Sequence, residues 1–209
     1  MKRSRGFFSF LLVTLLLVIL PGAGRADLGE YLSKNRYRPV TLRQLSALSR
    51  YDHLISYFTS FSYFRPRHKV SPDFIRALIL AESGGNPLAV SNRNARGLGQ
   101  LLLPTARRAG RELAGSRTVF RHVSRRQLAD LKAEDLHDPA VNILLTCYLV
   151  AKYNYRFDGR LDLVLSAWNA GEHTPSLAYG RHADYEETKE LIGRVNSYYR
   201  FLLGNRRQR

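Results

Sequence analysis

The stretch from Ser71 to Pro87 constrains this chain most, because it reads as a helix with both ends marked and almost no polar face. Ser71 is a side-chain N-cap, Pro72 suits the first helical position, and Asp73 places an acid at the positive end of the helix dipole. From Phe74 to Ala81 every residue is apolar except Arg76. Such a helix must be buried nearly all round, so other elements have to wrap it. Glu82 follows at the end of the apolar run, and Gly84-Gly85 with Asn86-Pro87 stop the helix. Apolar surroundings and the negative end of the dipole both disfavour a charged carboxylate there. Glu82 is therefore expected to hold its proton toward neutral pH, as a general acid must.

The first 26 residues form a separate unit. Lys2, Arg3 and Arg5 make a positive start, Phe7 to Leu20 is a run of 14 mainly apolar residues, and Gly24-Arg25-Ala26 offers a small-residue cleavage site. The run falls short of the roughly 20 residues of a membrane span. Cleavage after Ala26 is expected, giving an exported protein of the periplasm or cell wall with no stable membrane span. It would leave 183 of the 209 residues and, by removing four cations and no acids, lower the formal net charge from +16 to +12. That is enough chain for one domain with a sizeable core.

A strongly basic exported protein suits an anionic partner, and the wall is a better fit than nucleic acid. No nucleic-acid motif is present. The six His and one Cys lack the spacings of a metal site, so no metal or other cofactor is expected. Cys147 has no partner for an internal disulfide and lies in an apolar stretch, as a buried, inert thiol would.

Residues 27–47 read as an N-terminal lead-in, extended or briefly helical, and 48–209 as the domain proper. Leu54, Ile55, Phe58, Phe61 and Phe64 follow helical spacing. Further helices are expected through Leu101 to Leu113, from Asp138-Pro139 to about Tyr155, over Leu161–Ala167, and from about Tyr185 to Leu203. Residues 115–126 read as a loop whose arginines form a solvated charge run. No alternating strand pattern or internal repeat stands out, so the fold should be mainly α.

Five motifs, spread from Glu82 to Thr188, carry a resemblance. They are Glu82-Ser83-Gly84-Gly85-Asn86-Pro87 with Ala89-Val90-Ser91, and Ala95-Arg96-Gly97-Leu98-Gly99-Gln100-Leu101 with Thr105-Ala106. Asp138-Pro139-Ala140-Val141-Asn142-Ile143, Ala167-Trp168-Asn169-Ala170-Gly171 and Tyr185-Glu186-Glu187-Thr188 follow. In this order they resemble the catalytic domain of soluble lytic transglycosylases, lysozyme-like enzymes that cleave peptidoglycan. The resemblance implies a lysozyme-like helical domain with a substrate cleft. It also implies one glutamate, Glu82, acting first as acid and then as base to leave 1,6-anhydro-MurNAc ends. Ser91, Gln100, Tyr148, Trp168, Asn169 and Tyr185 would contact substrate, with Glu187 either structural or contacting.

The chain departs from the family pattern in places. Gly99 and Leu102 stand where methionines are common, Trp168 replaces a common tyrosine, and the Tyr148-Leu149 pair falls one position early. No acid in the sequence pairs convincingly with Glu82, whereas hydrolytic glycosidases usually employ two carboxylates. Two other readings stay open: a lysozyme-type hydrolase, and a weakly active peptidoglycan-binding scaffold of an envelope-spanning machine. The absence of a recognisable wall-anchoring module points to recruitment by machinery proteins of the envelope.

Overall fold

The structure, a computed structural model, describes residues 28–35, 38–66 and 69–206; the expected export signal, residues 1–26, lies outside them. Regular structure among these residues is helical, as the periodicity predicts, with only isolated bridges pairing Arg96 to Val90 and Leu101. At the centre is α4 (Pro72–Ser83). Ser71 Oγ accepts from Phe74 N at 3.4 Å, Pro72 opens the helix, and Gly84 ends it in the left-handed conformation. Phe74, Ile75, Ala77, Leu78, Ile79, Leu80 and Ala81 are all buried. Arg76, the one polar break, bridges Asp73 at 3.0 Å and Asp52 at 2.7 Å, tying α4 to α3 (Asp52–Thr59).

Helix α4 packs on α3 and on α10 (Glu186–Arg206), while α7 (Pro139–Arg156) packs on α3 and on α8 (Leu161–Ala170). Asp138 caps α7 through bonds from Ala140 N at 2.7 Å and Val141 N at 3.4 Å, the role its position before Pro139 predicts. The last helix packs on α4, on α8 and on α1 (Leu28–Lys34). Tyr31 donates to Glu186, and Lys34 pairs with Glu190 at 2.6 Å, so the lead-in is anchored to the end of the domain. Within the lead-in, α2 (Leu42–Ser49) opens on a capping box of Thr41 and Gln44 and runs across residue 47. Cys147 is fully buried in α7, where burial pushes its thiol up from its ordinary range.

Two expectations need correction. Helix α5 spans Leu103–Ala114, so Leu101 lies outside it, and residues 96–101 form a bridged turn instead. Gly97 adopts φ +77°, and a Cβ there would sit 2.0 Å from Leu136 O and 2.3 Å from Asn142 Nδ2. At Gly99 a Cβ would lie 2.4 Å from Thr146 Oγ1. The stretch between these glycines cannot coil into a helix without giving up that approach. The other correction is at Arg125 and Arg126, which open a short helix, α6 (Arg125–Ala129), capped by Ser124 Oγ on Gln127 N at 3.1 Å.

The close approach serves Asn142, which is fully buried. Its Nδ2 donates to Arg96 O at 3.0 Å and Leu136 O at 2.8 Å, and its Oδ1 accepts from Gly99 N at 2.8 Å. Asn142→Ala strands these backbone groups in a dry interior and should destabilise the fold by about 3 kcal/mol. Denaturant unfolding checks this; a loss below about 0.5 kcal/mol would mean the amide is replaceable.

Candidate active site

Glu82 occupies the last turn of α4, where the buried helix meets a cleft. The cleft has a volume of about 250 Å³. One wall is the segment 91–105, carrying Ser91, Gln100 and Leu102; the opposite wall carries Trp168, Asn169 and Glu187. Residues from four separate motifs of the sequence thus meet within one cavity, around the carboxylate singled out from the helix end alone.

The indole Nε1 of Trp168 donates to Glu82 Oε1 at 2.7 Å. An indole can donate but never accept. This bond therefore commits Oε1 as an acceptor in both protonation states and leaves Oε2 as the oxygen that carries a transferable proton. Burial pushes the Glu82 carboxyl up to about 7. The Trp168 bond and the charge of Arg194 pull it down, and the charge of Glu187 pushes it up. A carboxyl so placed can give up a proton and take one back near neutrality.

Supporting residues hold the walls in shape. Gln100 adopts φ +50°, and its Nε2 donates to Ala89 O at 3.2 Å and Gly97 O at 3.0 Å. Ser91 Oγ accepts from Ala95 N at 3.1 Å and Arg93 N at 3.3 Å, so its hydroxyl closes its own turn beside the cleft. Asn169 Oδ1 accepts from Thr188 Oγ1 at 2.6 Å, joining α8 to α10. Glu187 is held by Arg93 at 3.4 Å across the cleft.

Two of the expected contact residues lie elsewhere. Tyr148 donates to Glu112 Oε2 at 2.5 Å and packs on the rings of Tyr63 and Phe64, away from Glu82. Each helical position turns the side chain by about 100°, so the next residue, Leu149, reaches the cleft and Tyr148 does not. Tyr185 is 58% exposed, just before α10, and does not line the cavity. The residue not foreseen is Tyr153, which lines the cleft one turn beyond Leu149 and is buried, with its hydroxyl pushed up to about 12. Continuing the face of Leu149 by four positions would have found it. Glu187 stands in the cleft through a fold contact that no local pattern encodes. No three His, Cys, Asp or Glu side chains group as a metal cradle among the described residues.

Comparisons with known proteins bear on the family and the fold. The family described as the transglycosylase SLT domain matches residues 61–191. A Haemophilus influenzae protein bearing the name soluble lytic murein transglycosylase is 28% identical over 176 residues, covering 82% of this chain and 28% of its own. The Escherichia coli soluble lytic transglycosylase Slt70 superposes with a TM-score of 0.58 at 17% identity, over 85% of this chain and 33% of that one. An inactive mutant of the lytic transglycosylase Slt from Pseudomonas aeruginosa gives 0.50 at 22% identity, over 79% and 25%. The two solved structures show likeness of fold. This chain spans between a quarter and a third of the length of these relatives.

Two outcomes are expected from the Glu82 environment. A carboxyl raised from 4.5 to about 7 stabilises the fold fully below pH 4.5 and loses that contribution as pH rises through 7. Glu82→Gln, neutral throughout, should therefore gain on the wild type across that window by about 3 kcal/mol, at 1.36 kcal/mol per pH unit. Paired melting curves at pH 4 and pH 8.5 measure it, and a gain on the acid side would contradict the assignment. Removing the indole donor in Trp168→Phe should move the Glu82 carboxyl further up, which carboxyl-carbon NMR titration would register.

Proposed function

The chain belongs to the transglycosylase SLT domain family, and from that membership we propose that it is a lytic transglycosylase acting on peptidoglycan. The observation that carries the proposal is Glu82: one carboxyl raised to about 7, half-buried in a cleft, with Oε1 held by Trp168. In the first step Glu82 protonates the oxygen between MurNAc and GlcNAc as its bond to the muramyl C1 breaks. The positive charge that develops on the muramyl ring is met by the ring's own acetamido group. Glu82, now a carboxylate still bonded to the indole, takes the proton of the muramyl C6 hydroxyl as that oxygen closes on C1. The products are a GlcNAc end and a 1,6-anhydro-MurNAc end; no water enters and Glu82 is again protonated. Residues 1–26 would direct the chain out of the cytoplasm to its substrate, with partner proteins of the envelope bringing it to particular wall sites.

One observation favours a second reading. Glu187 brings a second carboxylate into the cleft, as a hydrolytic glycosidase requires. Its pairing with Arg93 and its 60% exposed side chain suit a solvated group rather than a nucleophile pressed against the sugar. Mass spectrometry of muropeptides released from purified sacculi separates the readings. Anhydro-ended products, lost in Glu82→Gln, are expected. Reducing ends lost in Glu82→Gln would make the protein a hydrolase, and no release from a folded protein would make it a binding scaffold.

A further inference from the structure

Beside the Glu82 cleft lies a second cavity, of about 420 Å³, which shares Leu102, Thr105, Tyr153, Trp168 and Asn169 with the first. A ligand seated at Glu82 has a continuous path into it. Its far side is formed by Arg108 of α5 and by Glu172, which follows the end of α8. The Glu172 side chain is only 8% exposed and is gripped from two sides: Arg108 reaches one carboxylate oxygen at 2.6 Å, and Arg156 the other at 3.3 Å. A further pair, Lys152 with Glu112 at 2.9 Å, stands one turn along α5 from Arg108. The group thus holds three cations against two carboxylates.

Stability does not account for this arrangement well. Two guanidiniums are fixed on one buried acid, yet their side chains stay 43% and 44% exposed. Five N–H donors per guanidinium are far more than one carboxylate consumes. The buried acid serves to orient two arginines whose remaining donors stay open, Arg108's toward the cavity. A rigid guanidinium fork is the group that recognises a planar carboxylate, with two parallel charge-assisted bonds. Neutral sugar rings have no such group.

From this geometry we infer that the cavity lined by Arg108 and Glu172 is a carboxylate-binding subsite, which takes an acidic group branching from the glycan strand held in the Glu82 cleft. The inference rests on the functional reading above for the identity of the strand. On a muramyl strand the carboxylate has two sources: the acidic residues of an attached peptide, or the free lactyl acid left where the peptide has been removed. The same cavity would make the protein sense the state of the branch while Glu82 acts on the backbone.

Affinity measurements test the subsite apart from the chemistry. The Glu82→Gln chain, which should bind without turnover, is titrated with three ligands of similar length: peptide-bearing strands, peptide-free strands with free lactyl acids, and neutral GlcNAc oligomers. Adding Arg108→Gln should weaken binding of at least one acidic strand about ten-fold and change the neutral oligomer less than two-fold. The strand that responds identifies the source. Arg108→Lys keeps the ion pair with Glu172 and so the fold, but loses the fork, and should give a smaller loss on that same strand. Equal losses on all three ligands, or none on either acidic strand, would overturn the subsite. Muropeptide release by the unmodified protein is scored in parallel. Arg108-dependent binding without any release would sink the enzymatic reading and leave the subsite standing.

Discussion

The side-chain amide of Asn142 makes three hydrogen bonds to backbone groups from three directions, in an interior with no water to replace them. Everything on one side of the cleft follows from it. The amide fixes Arg96 and Gly99, the glycines at 97 and 99 leave it room, and the turn between them sets Gln100 at its positive φ. From there the chain bridges back to Val90 and on to Leu101, so Ser91 and Leu102 receive their positions second-hand. An asparagine suits the task because a single planar group both donates twice and accepts. Leucine has the volume and none of the bonds.

The opposite side depends on a balance at one carboxylate. Burial at the end of an apolar helix favours the neutral form of Glu82, and three neighbours adjust the result in opposing senses. Trp168 matters because its donor is one-way. A hydroxyl in the same place could turn round and accept the proton of the acid; an indole cannot. The tryptophan that departs from the commoner tyrosine thus specifies which oxygen of Glu82 is left free to exchange a proton, and its bond persists when the proton has gone.

Much of this was legible in the sequence where the governing interaction is local. The caps at Ser71 and Asp138, the buried character of Phe74–Ala81 and the raised state of Glu82 all follow from residues within a turn or two of one another. Ser91, Gln100, Trp168 and Asn169 were placed by motif resemblance, and the fold brings them to one cavity. What stayed hidden depends on rotation or on distance along the chain. Tyr148 and Leu149 are adjacent in sequence, yet their helix presents one to Glu112 and the other to the cleft. Nothing near Arg108 announces Glu172, which comes from another helix end. Gly97 and Gly99 look like helix-tolerant residues until Asn142 is seen pressing on them.

The long terminal helix α10 packs on the buried helix that carries Glu82, holds Asn169 through Thr188, and supplies both Glu187 and Arg194 to the field around the carboxylate. Among the described residues it follows in sequence every other element that lines the cleft. A chain made only as far as α8 therefore cannot hold the complete cavity, however much of it has folded. A polypeptide released short of α10 has its glutamate but not the second wall or the charges that set its proton. The order of residues thus keeps a chain not yet made through α10 from presenting a finished cleft.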